Sequence, residues 1–368
     1  RHVLPAPAAR VVAESVERVQ RPRLALFRSA HAGVSVLVAS NDPLLRASLF
    51  AAFRPAAAPP AAESPLADPE RDGSVARSEL RPDSRFDADV VALEIPSRSA
   101  RAFSRAGWLL LPRWVALEVD LTLPERSLWD ARKRETVRRI ERSSFTLEVA
   151  RGKDAAHDFH EHLYAPTARA RHGDLAIVVR RGHVEAAARV GHVLFVREHG
   201  VRRVGLVVVP RPGSTAAIDA LLFGALGGDY RATRLAREAA YLFALRWARD
   251  VERAARFGLT VAAPFADDGI LRFKAHWGAT ALVDPRQGAS IAVRVQRGSP
   301  EVCRALAAHP PIVLRQVGGE ASLSTLVVRL AETEPASHRG VRGAATVELA
   351  LHSEVELPRA LERFAVDA

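Results

Sequence analysis

The chain has 368 residues, 48% hydrophobic and 26% charged, a balance that excludes wholesale disorder. At ~100–200 residues per domain, that length suggests more than one domain. No apolar run approaches the ~18 residues that a bilayer-crossing helix needs. The net charge of +11 favours anionic partners, although it rests almost wholly on arginine: the lysines are Lys133, Lys153 and Lys274 alone. One asparagine, Asn41, and no methionine fit a GC-rich codon bias, which accounts for part of the basicity. The single cysteine, Cys303, excludes an internal disulfide and reads as a small buried hydrophobe. With no secretory leader in view, the expected setting is the cytoplasm.

Residues 1–54 read as a small α/β unit. Val11, Val12, Val16 and Val19 recur at helical spacing, and Leu24–Phe27 and Val34–Ala39 are strand-like around Ala32-Gly33. Asp42 followed by Pro43 predicts a capped helix to about Phe53. From 55 to 87, prolines among Ala, Ser, Asp and Glu leave no periodic apolar face, so this stretch reads as a linker or long surface loop.

The segment 88–285 reads as the main α/β core. Asp89–Ile95, Trp108–Leu111 and Trp114–Leu121 are strands, with Pro112 out of place in a central one. Glu125–Ser144 is a polar helix whose Arg132-Lys133-Arg134 run suits a solvated face. Asp154–Arg171 is a second helix, and Asp174 caps a third that includes Ile177, Val178 and Val184. His192–Glu198 and Val201–Val209 alternate around His199-Gly200, a hairpin signal. Thr215–Phe223 is a strand, and Arg231–Phe257 is a long helix that stops at Gly258. Its arginines, Arg246, Arg249, Arg253 and Arg256, oppose a stripe of Ala236, Ala240, Phe243, Trp247 and Val251. Leu259–Ala262 is a strand. Residues 286–368 form a β-rich extension, with strands at Ile291–Val295, Ile312–Val317, Leu323–Leu330 and Ala344–Leu351. They extend the main sheet or form a module of their own.

Most enzyme signatures are missing. There is no phosphate-binding Gly-rich loop with its Lys-Ser/Thr, no G-x-G-x-x-G and no G-x-S-x-G elbow. His157, His160 and His162 do not follow either zinc-protease spacing, so no metal is expected. Lys274 stands out because lysine is so rare here. A compact ammonium where arginine would serve a surface equally well hints at a defined role.

The order strand, long helix, strand, then Asp268-Gly269-x-x-x-Phe273-Lys274-x-x-Trp277-Gly278, resembles GNAT-fold acyltransferases of the Fem-like branch, the relatives of peptidoglycan peptidyltransferases. Tyr164-x-Pro166 leading to Arg171-His172-Gly173 agrees, as does the Leu222–Asp229 strand end before an Ala-rich helix. The resemblance covers about 125–285. It implies a GNAT-like mixed central sheet flanked by helices, present once or twice, and transfer of an acyl or aminoacyl group to an amine. By resemblance, Lys274 stabilises charge on the donor or oxyanion and Asp268 is a base or substrate-orienting carboxylate. Tyr164, Arg171, His172 and Tyr230 line the cleft, with Arg171 as an anion anchor. The implied donor is an acyl-CoA such as acetyl-CoA, or an aminoacyl-tRNA, the one case that would bring in nucleic acid. The implied acceptor is an amine-bearing small molecule or a sugar or peptidoglycan precursor, in cell-wall or exopolysaccharide biosynthesis. The pyrophosphate loop of acetyl-CoA-dependent members has no match in Ala225-Leu226-Gly227-Gly228-Asp229-Tyr230-Arg231, which leaves the donor open. Two other classes remain: a non-catalytic binding module for a phosphorylated glycan or nucleic acid, and a structural partner in polysaccharide assembly.

Overall fold

A computed structural model describes residues 23–31, 34–53, 70–76, 78–173, 176–229, 233–284, 287–317, 320–330, 340–351 and 353–367. The helix expected near Val11–Val19, the turn at Ala32-Gly33, the Asp174 cap and Tyr230 lie outside them. The chain is mixed α/β and divides into two compact units. A split unit is assembled from Val16–Ala116, Val261–Arg272 and Ala281–Ala368. A central unit holds Leu117–Thr260 and Phe273–Thr280.

The split unit begins with the hairpin β1 (Arg23–His31) and β2 (Val34–Ala39), followed by α1 (Pro43–Ala52). Asp42 caps α1 as its sequence predicts, accepting from the Leu44 and Leu45 amides. Then come β3 (Glu70–Ala76), β4 (Val90–Pro96), α2 (Ala100–Arg105) and β5 (Leu109–Pro112). Strand β3 corrects the reading of 55–87 as linker throughout: β1 supplies the hydrogen-bonding edge that its own polar sequence does not advertise. Pro112 closes β5 on the edge of the sheet, where proline is tolerated.

The central unit runs β6 (Val115–Asp120), α3 (Glu125–Leu128), α4 (Ala131–Glu141) and β7 (Phe145–Ala150). The single helix expected over Glu125–Ser144 is two. Asp130 restarts it by accepting from the Lys133 amide at 2.7 Å. Next come α5 (Gly152–Asp158), a π-helical stretch Phe159–Tyr164, α6 (Ala165–His172) and α7 (Arg181–Val190). Strands β8 (His192–Glu198) and β9 (Val201–Pro210) form the expected hairpin, with His199 and Gly200 at φ 48° and 81°. Then follow β10 (Ala217–Ala225), α8 (Arg234–Asp250), β11 (Arg256–Ala262), α9 (Gly269–Ala275) and β12 (Thr280–Leu282). The long helix ends earlier than its sequence suggests: Arg253 at φ 56° breaks it, and Gly258 is a strand residue rather than a helix stop. The sheet order is β12-β6-β11-β10-β9-β8-β7. Strands β7 to β10 are antiparallel neighbours and the helical crossover makes β10 and β11 parallel, the GNAT-like arrangement that the resemblance implied.

The chain re-enters the split unit as β13 (Ala289–Val295), which pairs with β4 on one side and β5 on the other. The sheet order is therefore β3-β1-β2-β4-β13-β5. After α10 (Pro300–Ala308), strands β14 (Ile312–Val317), β15 (Glu320–Leu330) and β16 (Ala344–Leu351) make a second, three-stranded sheet, and α11 (Leu357–Asp367) follows. One core gathers Phe50, Ile291, Leu306, Leu326 and Phe364, so residues from 34–53 and 289–365 share it. Among the described residues, the contacts thus group 23–53 and 287–367 with 78–116. Cys303 is buried on α10. Among the described residues no helix is long and apolar enough to cross a membrane.

Candidate functional site

In the central unit β10 and β11 pair at three positions only, Ala217, Ile218 and Asp219 against Arg256, Phe257 and Gly258. A clamp holds that end. Arg211 bridges Asp219 on β10, its Nη2 2.6 Å from Oδ1, and Glu118 on β6, its Nη1 2.5 Å from Oε2. These hydrogen bonds keep the guanidinium charged, its pKa raised mainly by Asp219. Beyond the clamp β10 carries a bulge between Ala220 and Leu222 and stays with β9, while β11 continues to Ala262 without β10. A parallel pair that separates in this way leaves backbone polar groups on facing strand edges, able to bind an extended ligand.

Three cationic side chains of the unit, Lys274, Lys133 and Arg237, have defined polar or aromatic neighbours. Lys274 is 3% exposed, and its Nζ donates to Thr260 Oγ1 at 2.5 Å. Thr260 sits on β11 just past the paired positions with φ 60°, a conformation that a β-branched residue adopts only under constraint. Lys133 is likewise buried and departs from its basic run, whose Arg132 and Arg134 are exposed as a solvated face expects. Its ammonium pairs with Glu238 at 2.8 Å and stands 4.3 Å from the centroid of the Trp277 ring. Glu238 thus serves Lys133 across two helices. The Arg237 guanidinium lies 5.1 Å from the centroid of Phe273, and Tyr241 meets the same ring edge-on at 5.0 Å. Trp277 Nε1 is buried without a hydrogen-bond partner among the described residues. A buried, unmatched donor on a ring that also faces the Lys133 ammonium suits a site that receives an acceptor atom.

Motif reading missed Lys133, Glu238, Arg237 and Thr260. For Lys133 the signal was available: it is one of three lysines in an arginine-rich chain.

The other expected site residues fall elsewhere. Asp268 lies in the split unit, where its Oδ1 accepts from the Leu271 amide at 2.8 Å and so begins α9, the helix that carries Lys274. Tyr164 is buried, its hydroxyl donating to the Ile177 carbonyl and accepting from the Val179 amide, both at 3.2 Å. Burial pushes that phenol's pKa up. Arg171 is exposed at the end of α6, and His172 beside it is half-buried. Burial, then the Arg171 charge, hold the His172 imidazole below its ordinary value, hence neutral at pH 7. The π-helical stretch that precedes them lies directly on the sheet at two glycines. A Cβ at Gly205 would meet the Phe159 ring at 2.8 Å, and one at Gly224 the Leu163 backbone at 2.5 Å. The loop after β10 is equally close to α6: a Cβ at Gly228 would come within 2.9 Å of the Pro166 carbonyl oxygen. Of the expected arginine stripe, Arg246 and Arg249 lie on α8 and are ion-paired. Arg246 binds Glu125 and Glu141, each at 2.8 Å, and Arg249 binds Glu125 at 2.7 Å. His160, from the histidine cluster, is buried between Glu161 Oε1 and the Val179 carbonyl.

No family model and no curated protein matches the chain. Among solved structures it is similar to the C-terminal domain of a proposed lysylphosphatidylglycerol synthetase from Agrobacterium fabrum, at 13% identity and TM-score 0.39, over 82% of this chain and 96% of that one. It is also similar to FemX, at 12% identity and TM-score 0.38, over 72% and 83%. A GCN5-related N-acetyltransferase from Kribbella flavida matches at 16% identity and TM-score 0.30, over 78% and 94%. At these scores the strand order and register above, not the likenesses, carry the description of the fold.

Proposed function

We propose that the chain is an N-acyltransferase that moves an acyl or aminoacyl group from an activated donor to an amine. The observation that carries this reading is the constrained Thr260–Lys274 contact beside the diverging β10 and β11. The donor is a CoA thioester such as acetyl-CoA, or an aminoacyl-tRNA. The acceptor is an amine-bearing small molecule or a sugar or peptidoglycan precursor, with cell-wall or exopolysaccharide assembly as the setting. The donor's carbonyl carbon forms a bond to the amine nitrogen, its π electrons move to oxygen, and the bond to the thiolate or ribose oxygen then breaks. The amine gives up a proton, which the departing group takes. In this reading the Lys274 ammonium stabilises the developing oxyanion, the class of interaction that preorganised sites exploit most strongly. Asp268 is the proposed base, taking the amine's proton and passing it to the departing group. Tyr164, Arg171, His172 and Tyr230 are assigned to the substrate side, Arg171 through its charge and His172 as a neutral imidazole.

The closed packing of Gly228 on α6 favours a donor held otherwise than by a pyrophosphate loop. It also supports the second reading, a non-catalytic module for a phosphorylated glycan or nucleic acid. Melting curves with acetyl-CoA, longer acyl-CoA thioesters and charged tRNA separate these readings, because a ligand of the folded state raises the melting temperature. The transferase reading expects one donor to raise it and to label an added amine. Binding of uncharged and charged tRNA alike, with no transfer, contradicts it.

A further inference from the structure

The split unit contains a cavity of about 780 Å³ that the transfer reaction does not use in the reading above. Its floor is the sheet: Leu110 and Pro112 of β5 and Ser290 of β13. Alternation along β13 fixes which way Ser290 faces. Ile291 and Val293 belong to the core with Phe50, whereas Ala292 belongs to the opposite core with Phe103 and Trp108. Ser290 shares the face of Ala292, and its cross-strand partner Ile95 belongs to that second core too. One wall is α2, which contributes Arg101 and Arg105, and the other is β14, which contributes Leu314 and Arg315.

Three observations point to the occupant. The lining carries the charges of Arg101, Arg105 and Arg315 against the one lining carboxylate, Asp284. Arg315 Nε is buried without a hydrogen-bond partner among the described residues, its guanidinium 5.5 Å from the Phe364 ring centroid. Ser290, only 5% exposed, adds a polar side chain to the lining. A buried, unmatched guanidinium N–H is costly unless a ligand supplies the missing partner. Guanidinium groups match phosphate oxygens in geometry as well as charge. The volume lies within the ~300–1,000 Å³ typical of small-molecule sites.

We propose that this cavity binds a small phosphate ester, the phosphate held by Arg315 with Arg101 or Arg105, and the apolar body on Leu110, Pro112 and Leu314. The claim stands independently of the transferase reading.

Calorimetric titration of the full chain with phenyl phosphate at low ionic strength tests it. The expected result is saturable one-to-one binding, weaker for inorganic phosphate because the apolar body is missing. Arg315→Gln and the double variant Arg101→Gln/Arg105→Gln should each weaken phenyl phosphate at least tenfold. Their melting temperatures should stay near wild type, since no ion pair among the described residues is lost. Arg304→Gln removes an exposed arginine from outside the cavity and should bind as wild type does. Absence of saturable binding in the millimolar range overturns the proposal. So does unchanged affinity in Arg315→Gln, an equal loss in Arg304→Gln, or inorganic phosphate binding as tightly as the ester.

Discussion

Lys274 reaches Thr260 from beneath the protein surface: the lysine is 3% exposed, the threonine is exposed, and Nζ meets Oγ1 at 2.5 Å. Thr260 holds φ 60° to accept that contact, and its hydroxyl also donates to the Leu259 carbonyl at 2.5 Å. In the transferase reading that ammonium meets the negative charge developing on the donor carbonyl. Thr260→Val removes the acceptor and keeps the shape. It should lower transfer and leave the fold intact by circular dichroism, whereas unchanged transfer would mean that the contact only fills space.

The Lys133–Glu238 pair gives a stability prediction. Removing one member strands a buried charge, at a cost of about 3–5 kcal/mol, whereas replacing both by apolar groups costs far less. Lys133→Met should therefore lose more stability in urea unfolding than Lys133→Met/Glu238→Leu. Equal losses in the single and double variants would show the pair to be uncoupled.

Asp268 has two possible duties, and asparagine separates them. Asn caps a helix about as well as Asp, while alanine costs ~1 kcal/mol. If Asp268 is the base, Asp268→Asn should fold normally and lose ~10²–10⁴ in rate. If it only begins α9, Asp268→Asn should transfer at the wild-type rate and Asp268→Ala alone should be destabilised.

Acid should weaken the fold from near neutrality downward. Burial, then the Arg151 charge, lower the His192 pKa, with Glu252 opposing, and His172 is lowered in the same direction. The sign follows from proton counting. Unfolded histidines titrate near ~6.5, so below that value the unfolded chain holds more protons and stability falls until the folded histidines also titrate. His192 Nε2 accepts from Arg151 Nε at 2.6 Å, a bond that protonation abolishes. Urea midpoints should drop between pH 7.5 and 5.5, and His192→Gln, which still accepts but does not titrate, should flatten the drop. A slope unchanged by the substitution would assign it to other groups.

Truncation after residue 288 should yield an insoluble chain. Strand β13 hydrogen-bonds to β4 and β5 at once, so its loss opens two buried edges inside one sheet. A soluble, folded 1–288 fragment would contradict this.

What the sequence discloses is local. Asp42-Pro43 and His199-Gly200 carry their conformations in their own chemistry, a cap and a left-handed turn, and both are found where expected. Strand β13 enters between β4 and β5 from almost 180 residues away in sequence, and nothing in Ala289–Val295 names its neighbours. Burial of Lys133 depends in the same way on a carboxylate 105 residues distant. Lys274 was legible through its rarity, its burial was not, and Thr260 had no sequence signal at all.

The central claim is that the Lys274 ammonium acts on the reacting carbonyl. Single-turnover transfer by Lys274→Met and Lys274→Arg, each normalised to folded protein, tests it most directly. Methionine keeps most of the buried stem, so the loss of charge is read apart from loss of packing. The account predicts a fall of ~10²–10³ for Lys274→Met and a sharp fall for Lys274→Arg, whose planar fork cannot reproduce a compact donor. Wild-type rates in both folded variants would contradict it.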